Sequence, residues 1–295
     1  MRKVKFAMMI LAASLLTACG SSKKEQSVNE ETAAARTQET ENLKKIPSKG
    51  IMLGHHDDTV YGIGWEGEEG RSDVKSVCGD YPAVISFDLG ELELGNAANL
   101  DKVPFDKIRK EIINQYQRGG MVSLSWHARN PKTGGDAWDV SDTTVVKSIL
   151  PGGENHQKFA GWLGGVADFL HSLKIPVLFR PWHEHSGSWF WWGEKLCTPE
   201  EYKALWHMTV DTLQAKGVDN ALYAYSPGTE PKDTTEYLKK YPGDELIDVI
   251  GFDTYQFDRD AYLAGMDRAL SIIDSVGKAH NKVIAVTETG YEGIP

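Results

Sequence analysis

An α/β fold of the (β/α)8 TIM-barrel type is what this 295-residue sequence predicts, and three observations predict it. Short apolar runs alternate with amphipathic stretches along the chain, the pattern of a parallel sheet covered by helices. Roughly 250 residues follow a polar N-terminal stretch, enough for one large α/β domain with a substantial core. Polar and aromatic residues recur just after the apolar runs, where a barrel gathers its strand ends at one mouth.

Residues 1–18 read as a processing signal. Arg2, Lys3 and Lys5 precede an apolar run from Phe6 to Leu16 that is too short to span a bilayer. The run closes on Leu16-Thr17-Ala18-Cys19, which resembles a bacterial lipobox. Cys19 is therefore the expected lipidation site, and the chain is expected to be exported and lipid-anchored to a bacterial membrane, on its periplasmic or cell-surface side. An ordinary cleaved signal with a chance cysteine is the alternative. Cleavage removes Arg2, Lys3 and Lys5, so the net charge moves from −10 to −13. So acidic a body repels phosphate backbones, and no nucleic-acid partner is expected. Residues 19–46 carry no aromatic side chain and are rich in Ser, Glu, Gln and Thr, the composition of a flexible tether. Helix formers from Glu30 to Arg36 give part of it transient helicity. As a coil it reaches about 25–30 Å.

From 47 to 295 the chain reads as the catalytic barrel. Strands are expected at Gly50–Leu53, Ala83–Phe87, Met121–Ser125, Val177–Phe179, Ala221–Tyr225, Val249–Phe252 and Val283–Val286. Four helices are expected between them. Phe105–Arg118 places Ile108, Ile112, Ile113 and Tyr116 at helical spacing, and Lys158–Leu173 does the same with Phe159, Trp162, Leu163, Val166 and Leu170. Pro199–Ala215 opens with Thr198 as N-cap, Pro199 in the first turn and Glu201 to complete a capping box. Asp260–Lys278 is the fourth. These runs make seven strands. An eight-stranded barrel needs one more, because a missing strand leaves two unpaired edges, so a missing eighth strand and helix at the C-terminus is expected. A seven-stranded or open barrel is the competing reading.

Two glutamates carry the chemistry. Glu184 lies in Phe179-Arg180-Pro181-Trp182-His183-Glu184-His185-Ser186-Gly187, and Glu288 in Val286-Thr287-Glu288-Thr289-Gly290. Each follows an apolar run at the point where it breaks into a polar loop. Two carboxyl groups about 5 Å apart across a sugar linkage would carry out retaining hydrolysis, and about 6.5–9.5 Å apart the inverting reaction. Trp182, Trp189, Trp191 and Trp192 crowd Glu184, four tryptophans within eleven positions. They read either as a platform for the apolar faces of sugars or as a hydrophobic plug over the barrel end. His55, His56, Asp57, Asp88, Trp126, His127, His183, Asp253 and Tyr255 also fall at strand ends, and their recurrence there marks a cleft.

No metal and no cofactor are expected. His55-His56-Asp57-Asp58 and His183-Glu184-His185 are rich in ligand types, but neither has the His-Glu-x-x-His spacing, and adjacent strand residues point to opposite faces. No Gly-x-Ser-x-Gly elbow is present. Cys78 and Cys197 are the remaining thiols, and spacing leaves open whether they pair.

Gly54-His55-His56-Asp57-Asp58, Ser125-Trp126-His127-Ala128-Arg129-Asn130-Pro131, Arg180-Pro181-Trp182-His183-Glu184 with Gly187-Ser188-Trp189-Phe190-Trp191-Trp192-Gly193, Gly251-Phe252-Asp253-Thr254-Tyr255 and Thr287-Glu288-Thr289-Gly290 together resemble glycoside hydrolase family 26. The resemblance covers residues from about 50 to the end. It implies a (β/α)8 barrel that cleaves β-1,4-mannosidic bonds with retention, with Glu184 as acid/base and Glu288 as nucleophile. It also implies that His127, His183, Trp189 and Tyr255 line the sugar pocket. The expected partner is β-mannan or a manno-oligosaccharide, bound by a monomer. Two other readings remain: a retaining glycosidase on another β-linked polysaccharide such as mixed-linkage glucan, and a non-catalytic glycan-binding surface lipoprotein.

Overall fold

The computed structural model describes residues 31–291. The expected signal and Cys19 lie outside the described residues. Seven parallel strands pair in chain order: β1 (Gly54–His56), β2 (Val84–Asp88), β3 (Met121–Trp126), β4 (Val177–Pro181), β5 (Ala221–Tyr225), β6 (Val249–Gln256) and β7 (Val283–Tyr291). Four long helices cover the sheet: α1 (Phe105–Gln117), α2 (His156–Leu173), α3 (Pro199–Ala215) and α4 (Arg259–His280). The sheet curls into a (β/α) barrel. Arg180 on β4 bonds to Asp253 on β6 and Glu288 on β7, and strands that far apart meet only across the hollow of a curved sheet. Among the described residues β1 and β7 are its two edges and no eighth strand joins them. Apolar side chains lie open beside both, Ile51 and Leu53 at one and Ile284 and Val286 at the other.

The elements follow from sequence. β4 and β5 are buried along their whole length, which suits a strand covered on both faces. At α3 the Thr198 hydroxyl accepts from the Glu201 N–H while the Glu201 carboxylate accepts from the Thr198 N–H, the expected capping box. Five strands run further toward their C-terminal ends than their apolar runs, because ladder bonds do not require apolar side chains. The first strand is not Gly50–Leu53 but the four-residue-later Gly54–His56, paired with Val84–Ser86. Its apolar run precedes the ladder, and polar histidines form it.

The tether expected over 19–46 is corrected by residues 31–43, which form a helix. Arg36 donates to the Ala221 carbonyl at 2.6 Å and pairs with Asp248 at 2.8 Å, at the start of β5 and just before β6. Leu43 is buried with Met121, Leu178, Leu222, Ala224 and Val249. The segment therefore docks on the end of the barrel opposite the strand C-termini, and a buried leucine and a paired arginine supply the ordering that composition hides. No helix among the described residues is long and apolar enough to cross a membrane. Cys78 and Cys197 are both free; the first is exposed and the second buried against the Trp192 and Gly193 carbonyls.

Candidate active site

Glu288 is part of β7 rather than of a loop after it, and a bulge orients it. Phe252 pairs with Val286 but Asp253 pairs with Glu288, so Thr287 is an extra residue. Exposure along β7 alternates through Ile284 and Val286, slips at Thr287 and Glu288, and resumes on Thr289 and Tyr291. Without the slip Glu288 would share the outward face of Val286; with it the carboxylate turns into the barrel. Gly290 completes the arrangement. A Cβ there would stand 2.7 Å from the Tyr255 ring, and that ring brings its hydroxyl to Glu288 as a donor.

Glu184 reaches the same space from the turn after β4. Trp182 and Glu184 both take left-handed backbone conformations, with φ of 55°, and the Glu184 N–H is held by the Ser226 carbonyl at 2.7 Å. Such strain persists only where the surroundings enforce it. Trp182, Trp191 and Trp192 enforce it: all three are fully buried and interlocked at ring separations of 5.0–5.5 Å. Their indole N–H groups donate to Thr209, the Ala128 carbonyl and the His183 carbonyl. Three of the four tryptophans are thus the plug rather than the sugar platform. Trp189 alone stays accessible, at 41% exposure, folded over Gly187 so that its N–H donates to Glu184 at 2.6 Å.

The acidic oxygens of Glu184, Asp253 and Glu288 approach within 4.8 Å of one another. Arg180, almost completely buried, bonds directly to Asp253 and Glu288. One positive charge cannot neutralise three carboxylates, so protons must be retained. Burial pushes Glu288 up, but the Arg180 charge, the Tyr255 hydroxyl and the charge of His127 outweigh it and hold its carboxyl at about 2. Burial and then the Glu288 charge push Glu184 up, against the Trp189 hydrogen bond. Burial likewise pushes Asp253 well up, against the pull of Arg180. Glu288 is therefore the carboxyl of the cluster that most favours the ionised form, and it faces Glu184, whose environment favours the acid.

The histidines form a chain beside the pair. Asp88 accepts from Ser125, from the Gly90 N–H and from His127 Nδ1, and lies well below the usual carboxylate range despite its burial. Against burial, Asp88 raises His127, whose Nε2 lies 3.1 Å from His183 Nε2. His183 is held neutral by burial and by the charges of Arg180 and His127. The two Nε2 atoms are therefore hydrogen-bond partners, with Asp88 favouring a charged His127 and burial a neutral His183. His185, bonded to Tyr202 and Tyr225, belongs to the core.

All six expected site residues, Glu184, Glu288, His127, His183, Trp189 and Tyr255, are thus brought to one face, with His183 buried beneath it. Sequence reasoning placed Asp88 at the cleft only as one of the strand-end residues and assigned no role to Arg180 or Trp138. Trp138, 48% exposed, stacks on His127 at 5.1 Å. Arg180 left a usable signal: an arginine within an apolar buried strand must find anionic partners. Replacing it with methionine removes the charge that holds the Glu288 carboxylate and pairs with Asp253, and is expected to cost about 3–5 kcal/mol. Because Glu288 is depressed in the fold, the stability it contributes is present above its unfolded value near 4.5 and lost as pH falls through about 2. The gap between wild type and Arg180→Met in denaturant titrations should thus be wide at pH 7 and narrow toward pH 2–3.

Residues 28–291 match the glycosyl hydrolase family 26 description. A mannan endo-1,4-beta-mannosidase of Bifidobacterium adolescentis is 35% identical over 286 residues, covering 90% of this chain and 28% of the relative. One from Bacillus subtilis is 30% identical over 241 residues, covering 77% and 62%. The chain thus spans less than two thirds of the length of either relative. Among solved structures, a GH26 beta-mannanase from Bacteroides ovatus superposes with a TM-score of 0.86 at 61% identity, covering 90% of this chain and 78% of that one. Sequence, fold and the two facing glutamates agree, and the chain belongs to glycosyl hydrolase family 26.

Proposed function

We propose that this protein hydrolyses β-1,4-mannosidic bonds in mannan or manno-oligosaccharides with retention of configuration. The observation that carries the reading is the pair of glutamates with acidic oxygens within 4.8 Å and opposite protonation preferences. That spacing is nearer the retaining geometry than the inverting one, which needs room for a water, and so supports direct attack of the ionised group on the sugar. Glu288 attacks the anomeric carbon as the glycosidic C–O bond breaks, and the departing oxygen takes the Glu184 proton. Esterification removes the Glu288 charge. Glu184, now ionised and without a repelling neighbour, takes a proton from water as that water's oxygen bonds to the anomeric carbon and the ester opens. Tyr255 fixes the direction of Glu288, and Trp189 that of Glu184. The names of the similar proteins support mannan as the substrate.

Proton NMR of manno-oligosaccharide digestion tests the stereochemistry. Newly formed reducing ends should appear first as the β-anomer; α-anomer appearing first would overturn the retaining mechanism. Sugar release from mannan, xylan and mixed-linkage glucan in parallel tests the substrate, with mannan expected to lead.

A further inference from the structure

Asp57, at the C-terminal end of β1, is buried completely, and no hydrogen bond reaches either of its carboxylate oxygens. Its Oδ2 lies 3.5 Å from His56 Nε2, which in turn lies 4.0 Å from Asp101 Oδ2, in the loop between β2 and α1. Alternation along a strand would send His56 and Asp57 to opposite faces. Asp57 escapes this because its backbone is left-handed, with φ of 51°. His56 is aimed by its other nitrogen, 2.8 Å from Ser86 Oγ on β2. One imidazole nitrogen and two carboxylates thus converge, all within 4.8 Å of one another.

We propose that His56 Nε2, Asp57 and Asp101 form a binding site for a divalent transition cation of the zinc class, beside the glutamate pair. The His56–Asp57 separation of 3.5 Å matches the edge of a tetrahedron around an ion bonded at about 2.0–2.1 Å, roughly 3.3–3.5 Å, whereas the 4.0 Å to Asp101, whose side chain is partly exposed, must close by a side-chain movement. A cation would compensate the buried Asp57 carboxylate more fully than the partly exposed His56 ring at 3.5 Å does. The imidazole favours zinc over calcium, which takes six to eight oxygen ligands. The Ser86 hydroxyl supplies the outer contact that fixes a ligating imidazole. Three protein ligands leave a fourth position for water. The ion would pin the end of β1 to the loop carrying Asp101.

The test is calorimetric titration of chelator-treated full-length protein with zinc chloride, with a thermal melt on the same samples. Wild type should take up one zinc at this site and melt higher with it, whereas His56→Gln and Asp101→Asn, each checked for native circular dichroism, should bind about tenfold or more weakly and lose the shift. Because Glu184, Asp253 and Glu288 form a second carboxylate group, Glu288→Ala is titrated too and should retain the zinc. No saturable zinc binding, as when a protonated His56 bridges the two aspartates, would overturn the site. So would binding lost in Glu288→Ala but kept in His56→Gln, or calcium binding as tightly as zinc.

Discussion

Glu288→Ala in the full-length protein is expected to lower mannan hydrolysis by several orders of magnitude, because no other group can bond to the anomeric carbon. A small anion such as azide fits the space vacated by the carboxylate and should restore part of the turnover on an activated aryl mannoside, releasing a glycosyl azide of inverted configuration. Removing the Glu288 charge also removes the repulsion that raises Glu184, so the Glu184 carboxyl should titrate lower in this variant, as read by carbon-13 NMR. Near-normal mannan hydrolysis would exclude Glu288 as nucleophile. A wild type that binds mannan in gel retardation without releasing reducing sugar would favour a glycan-binding protein instead.

Glu184→Ala should cost about 10²–10⁴ in mannan hydrolysis, the usual contribution of a positioned acid and base. The loss should depend on the leaving group. An aryl mannoside whose phenol leaves without a proton should form the glycosyl-enzyme at near wild-type rate, and the intermediate should then accumulate because no base activates water. The pH profile separates the two glutamates. In wild type kcat/KM should fall on the alkaline side as Glu184 gives up its proton, and on the acid side only toward pH 2, where Glu288 begins to protonate. Glu184→Ala should lose the alkaline limb attributable to that carboxyl. Persistence of the same limb would assign it to another group.

Much of the fold was legible in the residues. The capping box at Thr198 depends on atoms three residues apart, and β5 has the limits of its apolar run, because both express contacts along or directly beside the chain. The two glutamates were legible for a related reason: parallel strands bring their C-terminal ends to one face whatever the detailed register. The docking of residues 31–43 was not, because a polar helix with one leucine and one arginine at useful positions has the composition of a tether.

Sequence by itself therefore determined the class of fold, the family and the identity of the two facing carboxylates, since local periodicity and strand direction suffice for these. Only the tertiary structure decided which acid is ionised, which tryptophans meet solvent and which strand residue faces inward. The Thr287 bulge turns Glu288 into the barrel, Arg180 holds its charge from three strands away in the curled sheet, and the left-handed turn at Asp57 brings it beside His56 and Asp101. Each is a through-space relation between residues distant in sequence or a break in the alternation that sequence reading assumes, and electrostatic energy depends on separation in space.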